Sequence, residues 1–268
     1  MAQLSLGAVG LIDALGFKHI WQRHDPAAVA DTLRQARRKA LQMEKVLVRE
    51  NQRVLRAAGR PPKISATAFS DTFYFTAVVP VARDREGALA AATGVVACGL
   101  SYIMRTTAQA QVPLVWRGVI AAGDCFIDPD DKVFIGPAVD EAADLYEQAN
   151  GAFAWLAPSA ARLNYPGWSG PWHNLLGDYD VPLKGGRSFR TKVVNPFVLI
   201  SHETAAFEQI RRNSLKAMAS DSLDVQIKRQ NTEALFAHFE HLSREELRRK
   251  QREYELGEEH RQHDRASE

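Results

Sequence analysis

Cysteine is nearly absent: the 268-residue chain holds two, Cys98 and Cys125, each inside an apolar stretch. Thiols so placed exclude a disulfide framework and a thiolate zinc site, and read as small buried hydrophobes in a reducing compartment. A charge surplus is missing too. Lys and Arg number 34 against 32 Asp and Glu, so no basic field marks a nucleic-acid binder. Residues 1–10 lack the basic start of a signal peptide and run directly into a strand-like pattern. No apolar run is read as approaching the roughly 20 residues that span a bilayer. No internal repeat is visible. Together these absences predict a cytoplasmic, globular protein without direct membrane insertion. Its 46% hydrophobic content suits one sizeable domain with an appendage.

What is present is an irregular alternation of strand and helix signals. Residues 8–13 form a short apolar run ended by Asp13, and Leu15-Gly16-Phe17 reads as a turn. Asp25 as cap and Pro26 at the first helical position open a long helix. Its apolar residues (Val29, Leu33, Ala36, Ala40, Met43, Leu47) recur every three or four positions until Gly59-Arg60-Pro61-Pro62. Residues 64–70 and 73–79 are expected strands of a hairpin turning at Ser70-Asp71-Thr72. An Ala-rich helix follows over 87–104. Residues 112–121 and 133–135 make a strand pair turned at Asp128-Pro129-Asp130-Asp131, and 138–149 is helical. A strand over 152–156 precedes a last hairpin, 181–183 with 189–194. Several connections are hairpins, which predicts an α+β sandwich of ferredoxin-like character, its sheet mixed but mostly antiparallel, with helices on one face. From about residue 203 the chain turns strongly helical. Leu235, Phe236, Phe239 and Leu242 keep an apolar face there, to pack on the body or on a partner, and 244–268 reads as a solvated, partly frayed charged tail.

A single aspartate at a strand end is usually a turn residue or cap. Two of them, Asp13 after Leu11-Ile12 and Asp71 after Phe69-Ser70, are a different matter. On neighbouring strands their carboxylates would lie close together, and a divalent cation resolves that repulsion. Hard oxygen donors suit magnesium or manganese, and no His or Cys cluster competes for zinc. The turn at Gly16 and Phe17 offers N–H groups to phosphate oxygens. The combination points to metal-assisted phosphoryl or nucleotidyl transfer.

These residues resemble the class III nucleotide cyclase catalytic domain over roughly residues 5–196. Leu11-Ile12-Asp13-Ala14-Leu15-Gly16-Phe17-Lys18 is similar to that family's first metal motif, and Asp71 stands where its second metal aspartate does. Arg117 to Asp124 resembles the Arg-x-Gly-Ile-x-x-Gly segment. Gly136 to Ala143 follows Gly-x-x-Val-Asn-x-Ala, and Leu183-Lys184-Gly185-Gly186 resembles a late Lys-Gly motif. The resemblance implies a class III cyclase sandwich over 1–202 and a helical C-terminal extension over 203–268. It also implies two Mn2+ or Mg2+ ions on Asp13 and Asp71, with the Ala14 carbonyl as a further ligand. Attack of a ribose 3′-hydroxyl on the α-phosphorus would expel pyrophosphate, and the Gly16 and Phe17 N–H groups would hold the outer phosphates. Such sites form where two chains meet, so a homodimer is implied, with Thr67, Phe69 and Val133 lining the base pocket.

The departures from the family's pattern narrow the substrate. Thr67 and Val133 occupy the positions whose lysine and aspartate select adenine in adenylate cyclases, and Val133 cannot accept a hydrogen bond from an exocyclic amine. Asp140 and Asp144 fall where the family's ribose-orienting Asn and transition-state Arg stand. A carboxylate beside a triphosphate requires another cation, and Arg117, Lys184 and Arg187 are candidates, with Lys18 behind the phosphate turn. This pattern is similar to the stand-alone pyrimidine cyclases of Pycsar anti-phage defence, whose C-terminal Lys-x-x-Asn-Thr-x-x-x-Phe stretch resembles Lys228 to Phe236. The resemblance implies conversion of UTP, or of CTP, to a cyclic monophosphate that signals through a separate effector. Two readings stay open beside it: a non-catalytic nucleotide-binding or dimerisation module, and a purine cyclase.

Overall fold

The computed structural model describes residues 4–18, 20–55, 62–79, 84–165, 174–198, 200 and 204–266. The fold begins with an apolar run that does not alternate: β1 (Ser5–Ala14) is buried continuously from Gly7 to Ile12. A strand apolar on both faces must lie inside a sheet that is covered on both. α1 (Pro26–Leu55) follows, then β2 (Lys63–Phe69), β3 (Thr72–Val79), α2 (Arg85–Ala108), β4 (Trp116–Asp128) and β5 (Val133–Ile135). α3 (Pro137–Leu145), β6 (Ala154–Leu156), the single-turn α4 (Pro158–Ala161), β7 (Leu176–Pro182) and β8 (Ser188–Val194) complete the body, and α5 (Ala205–Ala217) and α6 (Leu223–Ala266) end the chain. The sheet order is β2-β3-β1-β4-β6-β8-β7, with β5 paired to the far end of β4. Among the described strands only β4 and β6 pair in parallel. This is the mixed, mostly antiparallel α+β architecture expected from the hairpin-rich pattern.

Helices cover both faces of the sheet, not one. Ala8, Ile12, Phe73, Phe75 and Ile120 share a core with Ala36, Ala40 and Met43 of α1 and with most of α2. Val9, Leu11, Val119, Phe153 and Trp155 form a second core with Val139 of α3, Phe207 of α5, and Leu235, Phe236 and Phe239 of α6. The unbroken apolar run of β1 is the sequence signal for this arrangement. α2 carries small residues because it lies close on the sheet: a methyl added at Gly99 would sit 2.5 Å from the Phe75 ring. At 24 residues α2 is long and apolar enough to cross a membrane by length and composition, contrary to the expectation that no run approached that length, yet 83% of its apolar window is buried inside the protein.

Local signals held in several places. The Asp25 carboxylate accepts from the Ala28 N–H at 3.1 Å and caps α1, while Gly59, Arg60 and Pro61 of the expected stop at 59–62 lie outside the described residues. Ser70 and Asp71 join β2 to β3 as a two-residue turn with Ser70 at φ 53. The Asp128 carboxylate accepts from the Asp130 and Asp131 N–H groups, building the expected turn.

Other expected boundaries moved. Residues 112–115 are not a strand, since Pro113 cannot donate to a ladder, and β4 starts at Trp116. α3 stops at Leu145, because residues 148–150 bond instead to the end of β7: Lys184 N–H reaches the Gln148 carbonyl at 2.8 Å and Asn150 N–H the Pro182 carbonyl at 2.8 Å. The expected frayed tail is helical to Ala266. Strong helix formers dominate it, and the i,i+4 pair His241–Glu245 stands at its start.

α6 is fastened to the body beside the loop that follows α3. Asn231 Nδ2 donates to the Asn150 carbonyl at 2.7 Å, and the buried Thr232 hydroxyl accepts from Ala152 N–H at 2.8 Å. Further along, the His238 ring lies 5.2 Å from that of Tyr179, with its Nε2 buried and without a partner among the described residues. Burial holds the His238 pKa below the ordinary 6.5, with Arg190 and His241 adding to the effect and Asp178 opposing it. The unfolded chain therefore takes up this proton first, and the stability contributed by neutral His238 is present above about pH 6.5 and lost as pH falls through the folded value. His238→Phe should accordingly gain melting temperature over the wild type as the buffer goes from pH 7.5 to 5.5. An equal difference at both pH values would reject this origin for the acid sensitivity.

Candidate active site

The pairing of β1 builds the site. Its antiparallel register places Asp13 opposite Thr72 on β3 and opposite Arg117 on β4. Side chains alternate along a strand, so Leu11 and Asp13 share a face with Thr72, Tyr74, Arg117 and Val119. Arg117 grips Asp13 with two nitrogens, Nε to Oδ1 at 3.2 Å and Nη2 to Oδ2 at 3.1 Å. Its third nitrogen, Nη1, donates to the Glu147 carbonyl at 3.1 Å. The pair is nearly enclosed, with side-chain exposures of 9% for Arg117 and 15% for Asp13. Burial raises the Asp13 pKa above its ordinary 3.8; Arg117 opposes this, and the charges of Glu147 and Asp71 add to it.

A second ion pair continues from the first. The Glu147 carboxylate stands 3.8 Å from Arg117 Nη2 through Oε1 and 3.5 Å from Lys184 Nζ through Oε2. The Tyr146 hydroxyl donates to Oε1 at 3.2 Å. Partial burial pushes the Glu147 pKa up, but Arg117, Lys184 and the Tyr146 hydrogen bond bring it below the usual 4.5.

Beside this charged chain the sheet face opens into a cleft of roughly 590 Å³, walled by Leu11, Phe69, Tyr74, Phe134, Val139 and Tyr146. Tyr74 and Phe134 stack at 4.7 Å, Phe69 meets Tyr74 edge-on at 5.9 Å, and Lys132 Nζ lies 5.4 Å over the Phe69 ring. An aromatic wall with ionic groups at one end is suited to a flat base carrying a charged tail.

Of the residues singled out in the sequence, Asp13, Arg117 and Lys184 come together, and Asp71 stands beside them, its carbonyl accepting from Ala14 N–H at 3.0 Å. Phe69 is in the cleft wall. Thr67, on β2, lies opposite Tyr74 of β3, and Val133 opens β5 opposite Asp128. At the turn, Gly16 takes φ 71 and its carbonyl accepts from Arg23. Phe17 N–H bonds back to the Ala14 carbonyl at 3.4 Å and its ring packs on the first core. The Gly16 N–H has no partner among the described residues, so it is the more open donor of that turn. Asp140 and Asp144 are exposed on α3, and Arg187 and Lys18 are exposed as well. Glu147 and Tyr146 were missed. They lie just beyond the α3 segment that carries the motif, and their role depends on a contact with the end of β7.

Among the described residues no group of three or more His, Cys, Asp or Glu side chains forms a cage. Asp13 and Asp71 remain, each Asp13 oxygen keeping a lone pair beyond the one used by Arg117. One or two carboxylates completed by substrate phosphates is the pattern of magnesium rather than of a protein-only site. The residues fit such an ion when it arrives with a phosphate ligand.

No protein-family model matches the sequence, and no curated protein matches it. Among solved structures the chain is similar to the catalytic core of a rhodopsin-guanylyl cyclase with converted specificity in complex with ATPalphaS, at 14% identity and TM-score 0.42, covering 72% of this chain and 97% of that one. It is similar to the adenylyl cyclase CyaB from P. aeruginosa at 17% identity and TM-score 0.42, covering 72% and 95%. A bacterial light-regulated adenylyl cyclase matches at 14% identity and TM-score 0.40, covering 79% and 99%. Identities this low carry no residue's role from those proteins to this chain.

Proposed function

We propose that the chain is a pyrimidine nucleotide cyclase that converts UTP to 3′,5′-cyclic UMP and pyrophosphate. The observation that carries this reading is convergence. Asp13, Arg117 and Lys184, from three separated motifs, are linked through Glu147, Asp71 stands at the turn beside Asp13, and Tyr146, bonded to Glu147, joins this cluster to the aromatic-walled cleft. The base would lie against Phe69 and Tyr74, with the triphosphate directed to the charged end. There the Gly16 N–H and Lys184 would bind the outer phosphates and keep pyrophosphate oriented as a leaving group. Asp13 and Asp71 would hold two Mn2+ or Mg2+ ions. Bound there, the ions would ease deprotonation of the 3′-hydroxyl and offset charge on the phosphates. Arg117 favours the charged form of Asp13 against the burial that opposes it, and fixes the carboxylate in direction. Thr67 and Val133, neither able to form an ionic contact with a purine edge, support a pyrimidine base. The open side of the cleft suits a homodimer in which a second copy supplies Thr67, Phe69 and Val133 together to the pocket, and the product would act through a separate effector in anti-phage defence.

One observation favours the non-catalytic alternative: Asp13 is already satisfied by Arg117, as a structural salt bridge would be. Incubation of the purified chain with each of the four ribonucleoside triphosphates and Mn2+, followed by chromatography and mass spectrometry, separates the readings. Cyclic UMP is expected as the main product. Cyclic AMP as the main product would remove the base-pocket argument, and no cyclic product from any triphosphate would remove the enzyme.

A further inference from the structure

We infer that Glu147 is a positioning residue of this site: it holds the Lys184 ammonium at the cleft rim, ready for transfer to a substrate phosphate. The inference rests on the triphosphate reading of the cleft and assigns a role to a residue that no motif marks.

The cations of the cluster are not equivalent. Arg117 is enclosed, and all three of its nitrogens are engaged, two by Asp13 and one by the Glu147 carbonyl. It cannot turn to a phosphate without abandoning a buried carboxylate. Lys184 is 44% exposed, and its Nζ rests 3.5 Å from Glu147 Oε2, a distance at which the pair is loose. Its side chain is long and free to swing, whereas its backbone is fixed: its N–H bonds to the Gln148 carbonyl, and Leu183 bridges to Ala149. The following glycines, Gly185 and Gly186, take φ 76 and 73, and a side chain at either would meet nothing within 4 Å. Lys184 thus projects from a tethered backbone beside open space.

Glu147 is itself held in direction. Its Oε1 takes the Tyr146 hydroxyl and faces Arg117, which leaves Oε2 to Lys184. Charge accounting agrees. Asp13 is matched by Arg117, so the Glu147–Lys184 pair is neutral in itself and adds no cation to the site until a phosphate draws the ammonium away. An ion pair this exposed adds little to folding stability. What it supplies is a fixed starting place for a cation that, unlike Arg117, is free to swing.

The test compares wild type, Glu147→Gln, Lys184→Ala and the double variant, with kcat and KM measured for UTP and Mn2+. Glu147→Gln preserves size and should leave the melting temperature unchanged while lowering kcat roughly 10- to 100-fold, as loss of an outer-shell partner does. Because Glu147 acts through Lys184, the double variant should be no worse than Lys184→Ala alone. A second readout needs no turnover: labelling of Lys184 by an amine-reactive reagent, read by peptide mass spectrometry, should rise several-fold in Glu147→Gln. Full kcat in Glu147→Gln, losses that multiply in the double variant, or unchanged labelling overturns the inference while leaving the cyclase reading intact. A wild type inert to all four triphosphates overturns both.

Discussion

Arg117→Ala is expected to cost about 3–5 kcal/mol of folding stability, because it leaves a buried carboxylate without its partner. Asp13 lies near the end of a strand that is buried on both faces, and among the described residues its carboxylate is held by the Arg117 guanidinium. The same substitution removes the hydrogen bond from Nη1 to the Glu147 carbonyl, so the loop after α3 loses a tie to the sheet. pH gives the diagnostic. Burial already raises the Asp13 pKa with Arg117 present, and removing the guanidinium raises it further. A carboxyl group whose folded pKa lies above its unfolded value binds its proton more tightly when folded, so its contribution is favourable at low pH and lost as pH rises through the folded value. The stability gap between wild type and Arg117→Ala, measured by urea unfolding, should therefore narrow from pH 7.5 to pH 5. A gap that stays constant would assign the loss to packing of the arginine stem instead. Arg117→Lys, which keeps a charge and loses the two-pronged grip, should fall between the two.

The parts of the fold that depend on local chemistry were legible in the sequence. Asp25-Pro26 marked a helix start, Ser70-Asp71 a hairpin, and the Asp128 cluster a turn, because each rests on hydrogen bonds within a few residues. The boundary at Trp116 was legible in principle from Pro113 but was hidden by the apolar run around it. The second helical layer was also written in β1, where Val9 and Leu11 are as apolar as Ala8 and Ile12. Strand alternation that fails in this way calls for cover on both sides. The site divides along the same line. Motif order drew attention to Asp13, Asp71, Arg117 and Lys184, but the grip of Arg117 on Asp13 depends on β1 and β4 being neighbours in one particular register. Glu147 depends on a contact between residues 146–150 and the end of β7, which no spacing along the chain encodes. The Asn231-Thr232 pair shows the same limit. As a motif it suggested kinship, and only the folded chain shows the two side chains fastening α6 to Asn150 and Ala152.

Asp71→Ala is the substitution from which the largest catalytic loss is expected, roughly 10³-fold or more in kcat, since it halves the carboxylate set available to the ions. The position makes the experiment clean. Asp71 sits in the two-residue turn after Ser70, only partly buried, and the contact it makes to β1 is through its backbone carbonyl, which alanine retains. Folding stability should stay within about 0.5 kcal/mol of wild type, as for other surface substitutions. Asp13→Asn should behave differently. It too should abolish turnover, but it also breaks the charged pair with Arg117 and leaves a buried guanidinium underpaired, so its melting temperature should fall. On the proposed reading the two aspartates would be separable, Asp71 serving the chemistry alone and Asp13 serving the chemistry and the sheet. Cyclic nucleotide assays with Mn2+, paired with thermal melts of both variants, read the distinction directly. Asp71→Ala protein that still turned over UTP would remove Asp71 from the metal site. Asp13→Asn protein that was inactive yet as stable as wild type would show that Arg117 does not depend on Asp13 for its place in the fold.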